Sequence, residues 1–162
     1  PDSWLKTAAQ TLLSMVVFIV CTQFMRVFAD MYFEDVASGS RFDHVQGDVI
    51  AYLTILLLVW THGSFFEELL FRAFVISKTS TALGGGFRSD LLALCISSVF
   101  FGYRHAYYQG VHGALITGAG GFAFGALYLW FGRRNVLPLI FAHGIFNTLS
   151  QTLRFLGIED TD

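Results

Sequence analysis

The amino-acid sequence predicts an all-α fold, a polytopic transmembrane bundle of about five helices. Three observations carry that expectation. Of 162 residues, 54% are hydrophobic and 14% are charged, against roughly 25% charged in an average soluble domain. Phenylalanine occurs 18 times and proline only twice, so long helical runs go largely unbroken. The apolar residues also fall into blocks separated by short polar links. At this length the chain reads as a single integral-membrane domain, 1–162.

The blocks are 8–29, 49–77, 91–109, 114–131 and 136–156. A helix needs roughly 17–25 apolar residues to cross a ~30 Å hydrocarbon core. Four blocks meet that length. The block 49–77 would extend about 44 Å at ~1.5 Å per residue, too long to stand upright. It is expected either to tilt and protrude or to bend near Thr61–Ser64, where THGS interrupts the apolar run. The links are DMYFEDVASGSRFDHVQGD (30–48), the glycine-rich KTSTALGGGFRSD (78–90), a short stretch near Gln109–Gly113, and GRRN (132–135).

Charge in the links suggests an orientation. Lys78, Arg88, Arg133 and Arg134 mark one side. The 30–48 link sets Asp30, Glu34, Asp35, Asp43 and Asp48 against Arg41, and the C-terminal tail is acidic. Alternating over five spans, this places the N-terminus, 78–90 and 132–135 in the cytoplasm. A net charge of −2 offers no basic face for nucleic acid. Cys21 and Cys95 lie in apolar blocks and read as small core residues rather than a disulfide or metal pair. No secretory signal pattern is present. A transporter reading lacks an inverted repeat or paired broken helices. In GGFAFG (120–125), Gly121 and Gly125 have a GxxxG spacing, expected to serve close packing within the chain, with a dimer contact as the alternative.

Charges inside the apolar blocks are the informative exception. FFEELLFRAF (65–74) holds Glu67, Glu68 and Arg72, and an unpaired buried charge is costly. Glu68 and Arg72 are four apart and share a helical face. Glu67 is rotated about 100° away and need not share that partner. Alone, the stretch is evenly poised between a structural ion pair and a reactive site. FFGYRHAYY places His105 near a helix end, and a lone histidine there is usually interfacial. Arg104 beside it is expected to reach lipid headgroups. FAHGIFN sets His143 and Asn147 on one face at i, i+4 spacing. Nothing links His44, His62 or His112 to a partner. Taken together, a carboxylate, two imidazoles and an amide on three apolar helices can converge only inside the bundle, as a base, a proton-handling group and oxyanion donors.

EELLFR (67–72), FGYRH (101–105) and HGIFN (143–147) resemble the EExxxR, FxxxH and HxxxN signatures of the CPBP (Abi) intramembrane protease family. That family includes CAAX prenyl endopeptidases and bacteriocin-processing or self-immunity proteins. The resemblance covers about 50–152, in order, one motif per helix. Ala73 departs from the glycine that often follows the arginine, a small-for-small change. The resemblance implies hydrolysis of a peptide bond in a membrane-associated substrate of CAAX-like or bacteriocin/leader type. It also implies a multi-pass protein of the bacterial inner (cytoplasmic) membrane, in contact with the lipid bilayer. By position, Glu67 is similar to the glutamate that activates water and His105 to the histidine that holds it. His143 and Asn147 match the oxyanion pair, and Glu68 with Arg72 the supporting pair.

No cofactor is expected. The alternative is zinc on Glu67, His105 and His143, a His₂Glu set with an open position, although HExxH is absent. The rival function is a non-catalytic membrane subunit or immunity protein packed against a larger membrane-protein complex. A desolvated glutamate suits the base role, because burial disfavours its charged form.

Overall fold

The computed structural model describes residues 3–34 and 39–158. Helix α1 spans Trp4–Tyr32, α2 Val49–Ala82, α3 Phe87–Trp130 and α4 Leu137–Phe155, with a 3₁₀ turn at Gly39–Val45. No strand occurs among the described residues. Asp35 of the acidic link and the acidic tail at 159–162 lie outside them.

Helix α1 begins at Ser3, whose side chain accepts from the Lys6 amide. It buries Thr7, Thr11, Ser14, Thr22 and Ala29 and exposes Leu12, Val16, Val20, Phe24 and Val27. Apolar residues outward and small ones inward is the polarity of a helix surrounded by lipid, where close packing rather than hydrophobicity joins helices. The buried hydroxyls need no partner elsewhere. Thr11 donates to the Thr7 carbonyl at 2.9 Å, Ser14 to Gln10 at 2.7 Å and Thr22 to Phe18 at 2.8 Å. Phe18 then packs against Phe124 and Phe146 with tilted rings, each at 4.9 Å between ring centroids.

Helices α1, α2 and α3 are each long and apolar enough to cross a membrane. At 44 residues, α3 would reach about 66 Å as a straight rod. It is not straight. Gly110 adopts φ 62°, ψ −169°, and the chain turns back there. A Cβ on Gly102 would lie 2.5 Å from the Ala114 carbonyl oxygen, one on Gly121 2.9 Å from Phe101, and one on Gly125 2.4 Å from Leu94. Such contacts arise only between antiparallel arms. The expected spans 91–109 and 114–131 are therefore the two arms of α3, and the five-helix bundle stands. The GxxxG glycines serve packing within the chain, with Gly125 also meeting Ile76.

The helix changes form at THGS: α2 is π-helical over Val59–Phe66 and again over Leu69–Ile76, and Ser64 donates to the Val59 carbonyl five residues back at 2.8 Å. The core joins Ile76, Leu94, Phe124, Leu127, Tyr128 and Leu139. Cys21 and Cys95 are both free thiols, and Cys95 is exposed on the outer face rather than in this core.

Two polar clamps define the ends of the bundle. Asp90 pairs with Arg133 and accepts from Ser80, while Asn135 donates to Thr7 at 3.3 Å. The start of α1, 78–90 and 132–135 thus share one end, as the link charges require. At the other end His112 Nε2 meets Asp30 Oδ1 at 2.7 Å, and the Gly47 amide donates to the Phe155 carbonyl at 3.1 Å. His112, for which the sequence offers no partner, ties α1 to the α3 turn.

The hairpin can be tested through its glycines. Gly102→Ala forces a methyl into backbone and should cost about 1–3 kcal/mol. Gly118→Ala meets only ordinary contacts of 3.5 Å or more and should be tolerated. Thermal unfolding in detergent should therefore show a lower Tm for the first variant alone; equal behaviour would sink the close approach.

Candidate active site

The polar residues of the apolar blocks meet inside this bundle. Helix α2 supplies Glu67, Glu68 and Arg72, the first arm of α3 supplies Phe101, Arg104 and His105, and α4 supplies His143 and Asn147. Glu67 and Glu68 lie between the two π-helical stretches of α2, a form of helix often found at functional sites.

Helices α2 and α4 are zipped antiparallel. Tyr52 and Thr152 share a hydrogen bond of 2.8 Å, Trp60 Nε1 donates to Thr148 at 3.1 Å, and Trp60 covers Gly144, where a Cβ would lie 2.6 Å from the ring. In that register His143 Nδ1 reaches Glu68 Oε1 at 2.9 Å. A carboxylate can only accept, so Nδ1 carries the proton and Nε2 is left for chemistry. Asn147 follows one turn on. Its amide nitrogen lies 3.5 Å from where a Cβ on Gly63 would stand, so glycine leaves it room against α2.

Glu68 also pairs with Arg72, Oε2 to Nε at 2.9 Å, with side-chain exposures of 0% and 1%. The contact is an ion pair without a well-aimed hydrogen bond, and Arg72 Nε and Nη1 have no hydrogen-bond acceptor. Aromatic faces take their place. The guanidinium carbon lies 4.8 Å from the Phe101 ring centroid, 5.7 Å from Phe124 and 6.0 Å from Phe71, where the ring quadrupole attracts a cation.

Phe101 is the hub of the cluster. Its ring lies 4.8 Å from that of His105 and 6.5 Å from that of His143, and its carbonyl accepts from His105 Nδ1 at 2.7 Å. In a neutral ring this leaves His105 Nε2 as an acceptor. Glu67, Arg104 and His143 are all within electrostatic reach of His105.

Arg104 departs from expectation. Rather than reaching headgroups, its Nη2 lies 2.8 Å from Glu67 Oε1. The contact was hidden because it joins distant parts of the chain. Phe101 had a visible signal as the first residue of FGYRH, but one phenylalanine among 18 gave no contrast.

Glu67 is held by Arg104 and His143 by Glu68, and among the described residues no three His, Cys, Asp or Glu side chains are grouped to hold one ion. A cavity of about 340 Å³ lies elsewhere, between α1 and α4, lined by Trp4, Thr11, Met15, Phe141 and Ile145 among others. Phe141 and Ile145 are two residues from His143 and so on the opposite side of α4.

A model of the Rce1-like family, described as type II CAAX prenyl endopeptidase Rce1-like, matches residues 49–149, more than half of the chain. No curated protein and no solved structure matches. The matched stretch holds all the polar residues of the cluster and leaves out α1.

Removing one member of a buried ion pair strands the other charge, at about 3–5 kcal/mol. Glu68→Ala should therefore lose folded yield and melt lower, with activity falling as a consequence. A stable but inactive Glu68→Ala protein would show that Glu68 acts in the chemistry instead.

Proposed function

Since the chain belongs to the Rce1-like family of type II CAAX prenyl endopeptidases, we propose that it hydrolyses a peptide bond of a membrane-associated substrate with water activated by Glu67. The observation that carries this reading is the convergence of Glu67, His105 and His143 from three helices of an integral membrane protein. Glu67 Oε1 rests on Arg104, which leaves Oε2 to take a proton. His105 Nε2, freed by the bond from Nδ1 to Phe101, holds the same water.

The water oxygen bonds to the scissile carbonyl carbon while its proton passes to Glu67. The resulting oxyanion is met by the Asn147 amide and by the His143 ring, which Glu68 steadies through Nδ1. Collapse breaks the C–N bond, and the proton on Glu67 goes to the leaving amine. Donors fixed in a dry interior are strong here, because they need no reorganisation as charge develops. The substrate is a peptide near or in the bilayer, a CAAX-like terminus or an unmodified bacteriocin/leader-type segment.

Two variants test the assignment in detergent-solubilised protein with cleavage read by mass spectrometry. Glu67→Gln keeps shape and polarity but accepts no proton, so it should fold normally and be almost inactive. Near wild-type cleavage by that variant would remove Glu67 from the role. Asn147→Ala should lower kcat more than it raises KM, by a factor of about 10²–10³, because it removes a donor used at the oxyanion. Chelators should leave turnover intact; about one zinc per chain lost together with activity would favour the His₂Glu site. Absence of cleavage by the wild-type protein itself would favour the non-catalytic subunit.

A further inference from the structure

Arg104 stands apart from the other charges of the cluster. Its side chain is 39% exposed, whereas Glu67 beside it is 8% exposed. Arg72, the other cation, is 1% exposed and committed to Glu68. The Arg104 guanidinium carbon also lies 5.9 Å from the Phe71 ring centroid, so the planar group is steadied on its inner side by a ring and a carboxylate. A guanidinium carries five N–H donors in a fixed fork. Contact with Glu67 through Nη2 leaves donors on the accessible edge. At the rim of the cluster there is thus a rigid cation, held on one side by Glu67 and open on the other.

What such an edge receives follows from charge and shape. A peptide entering an apolar bundle with a free carboxyl group must desolvate a negative charge, which is costly unless a cation meets it. Guanidinium matches carboxylate in planarity and spacing better than ammonium does. Resting on the assignment of Glu67 as base, we propose that Arg104 is a specificity-determining residue that binds a carboxylate carried by the substrate. Because Arg104 touches Glu67, the carboxylate and the scissile carbonyl are separated by only a short stretch of peptide.

The test uses the full chain in detergent micelles and two internally quenched peptides bearing a farnesylated cysteine. They are identical except that one ends in a carboxylic acid and the other in a carboxamide. Fluorescein-labelled versions report binding by anisotropy. Wild type should favour the acid by about tenfold or more in kcat/KM, as expected for loss of a charged hydrogen-bond partner, with most of the difference in KM. Arg104→Gln should bring the acid-to-amide ratio near one, and Arg104→Lys, a point charge without the fork, should fall between. A residue that merely props Glu67 would lower both peptides alike and leave the ratio unchanged. A wild-type ratio near one, or a full preference kept by the Gln variant, overturns the proposal. Should the Gln variant fail to fold, the Lys variant and the wild-type ratio decide. Acid-selective binding without cleavage would sink the peptidase assignment and keep the carboxylate contact. Equal cleavage of both peptides would do the reverse, and neither binding nor cleavage of either peptide overturns both.

Discussion

Glu68 and Arg72 form an ion pair with almost no access to solvent, and the rest of the cluster is arranged around keeping that pair neutral and surrounded. Two opposite charges one helical turn apart cancel locally, yet each retains unmet polar capacity in an apolar interior. His143 takes up one Glu68 oxygen, which draws α4 onto α2. Three phenylalanine rings take up the Arg72 guanidinium, which draws both arms of α3 onto the same place. The pair therefore fixes the relative position of the helices that carry His105, His143 and Asn147. Helix packing and the polar cluster are one solution to one problem.

This explains why much of the arrangement was legible in the sequence. Charges within apolar runs are conspicuous because their burial is costly, so Glu67, Glu68 and Arg72 announce themselves. The i, i+4 spacing of Glu68 with Arg72 and of His143 with Asn147 follows from helix geometry alone. The helical segments were legible from block length, since neither arm of α3 needs the other to be recognised. What stayed hidden depends on contacts between distant segments. The Arg104–Glu67 and His112–Asp30 pairs follow from how helices dock, and nothing local to either residue encodes them. The π-helical stretches of α2 were hidden for a related reason: the sequence shows an interruption at THGS but not whether the helix bends or unwinds there.

The family resemblance and the geometry inform each other unequally. The motifs place residues on helices, but they do not say which glutamate is already occupied. In the structure both are: Glu68 by Arg72 and His143, Glu67 by Arg104. The difference between them is exposure of the partner. Arg72 is sealed in, whereas Arg104 stands at the edge of the bundle. A protease acting inside a membrane must admit one peptide and little else, and an engaged carboxylate at an accessible rim suits that demand.

Helix α1 has a consequence for how the chain is made. Its buried hydroxyls bond to its own carbonyls, so it can enter a bilayer without waiting for any helix that follows it. Helix α2 cannot do so as easily. It emerges next carrying two glutamates and one arginine, and only the Glu68–Arg72 pair is neutralised from within. Glu67 must wait for Arg104, synthesised after α2 is complete. Until then, one uncompensated carboxylate sits in the middle of a nascent span, where translocon scales place acidic residues at about 2.5–3.5 kcal/mol. The chemistry of the finished protein is thus set against its own biogenesis, and the early arrival of α1, ready to pack, gives the growing chain a preformed surface on which α3 and α4 can close.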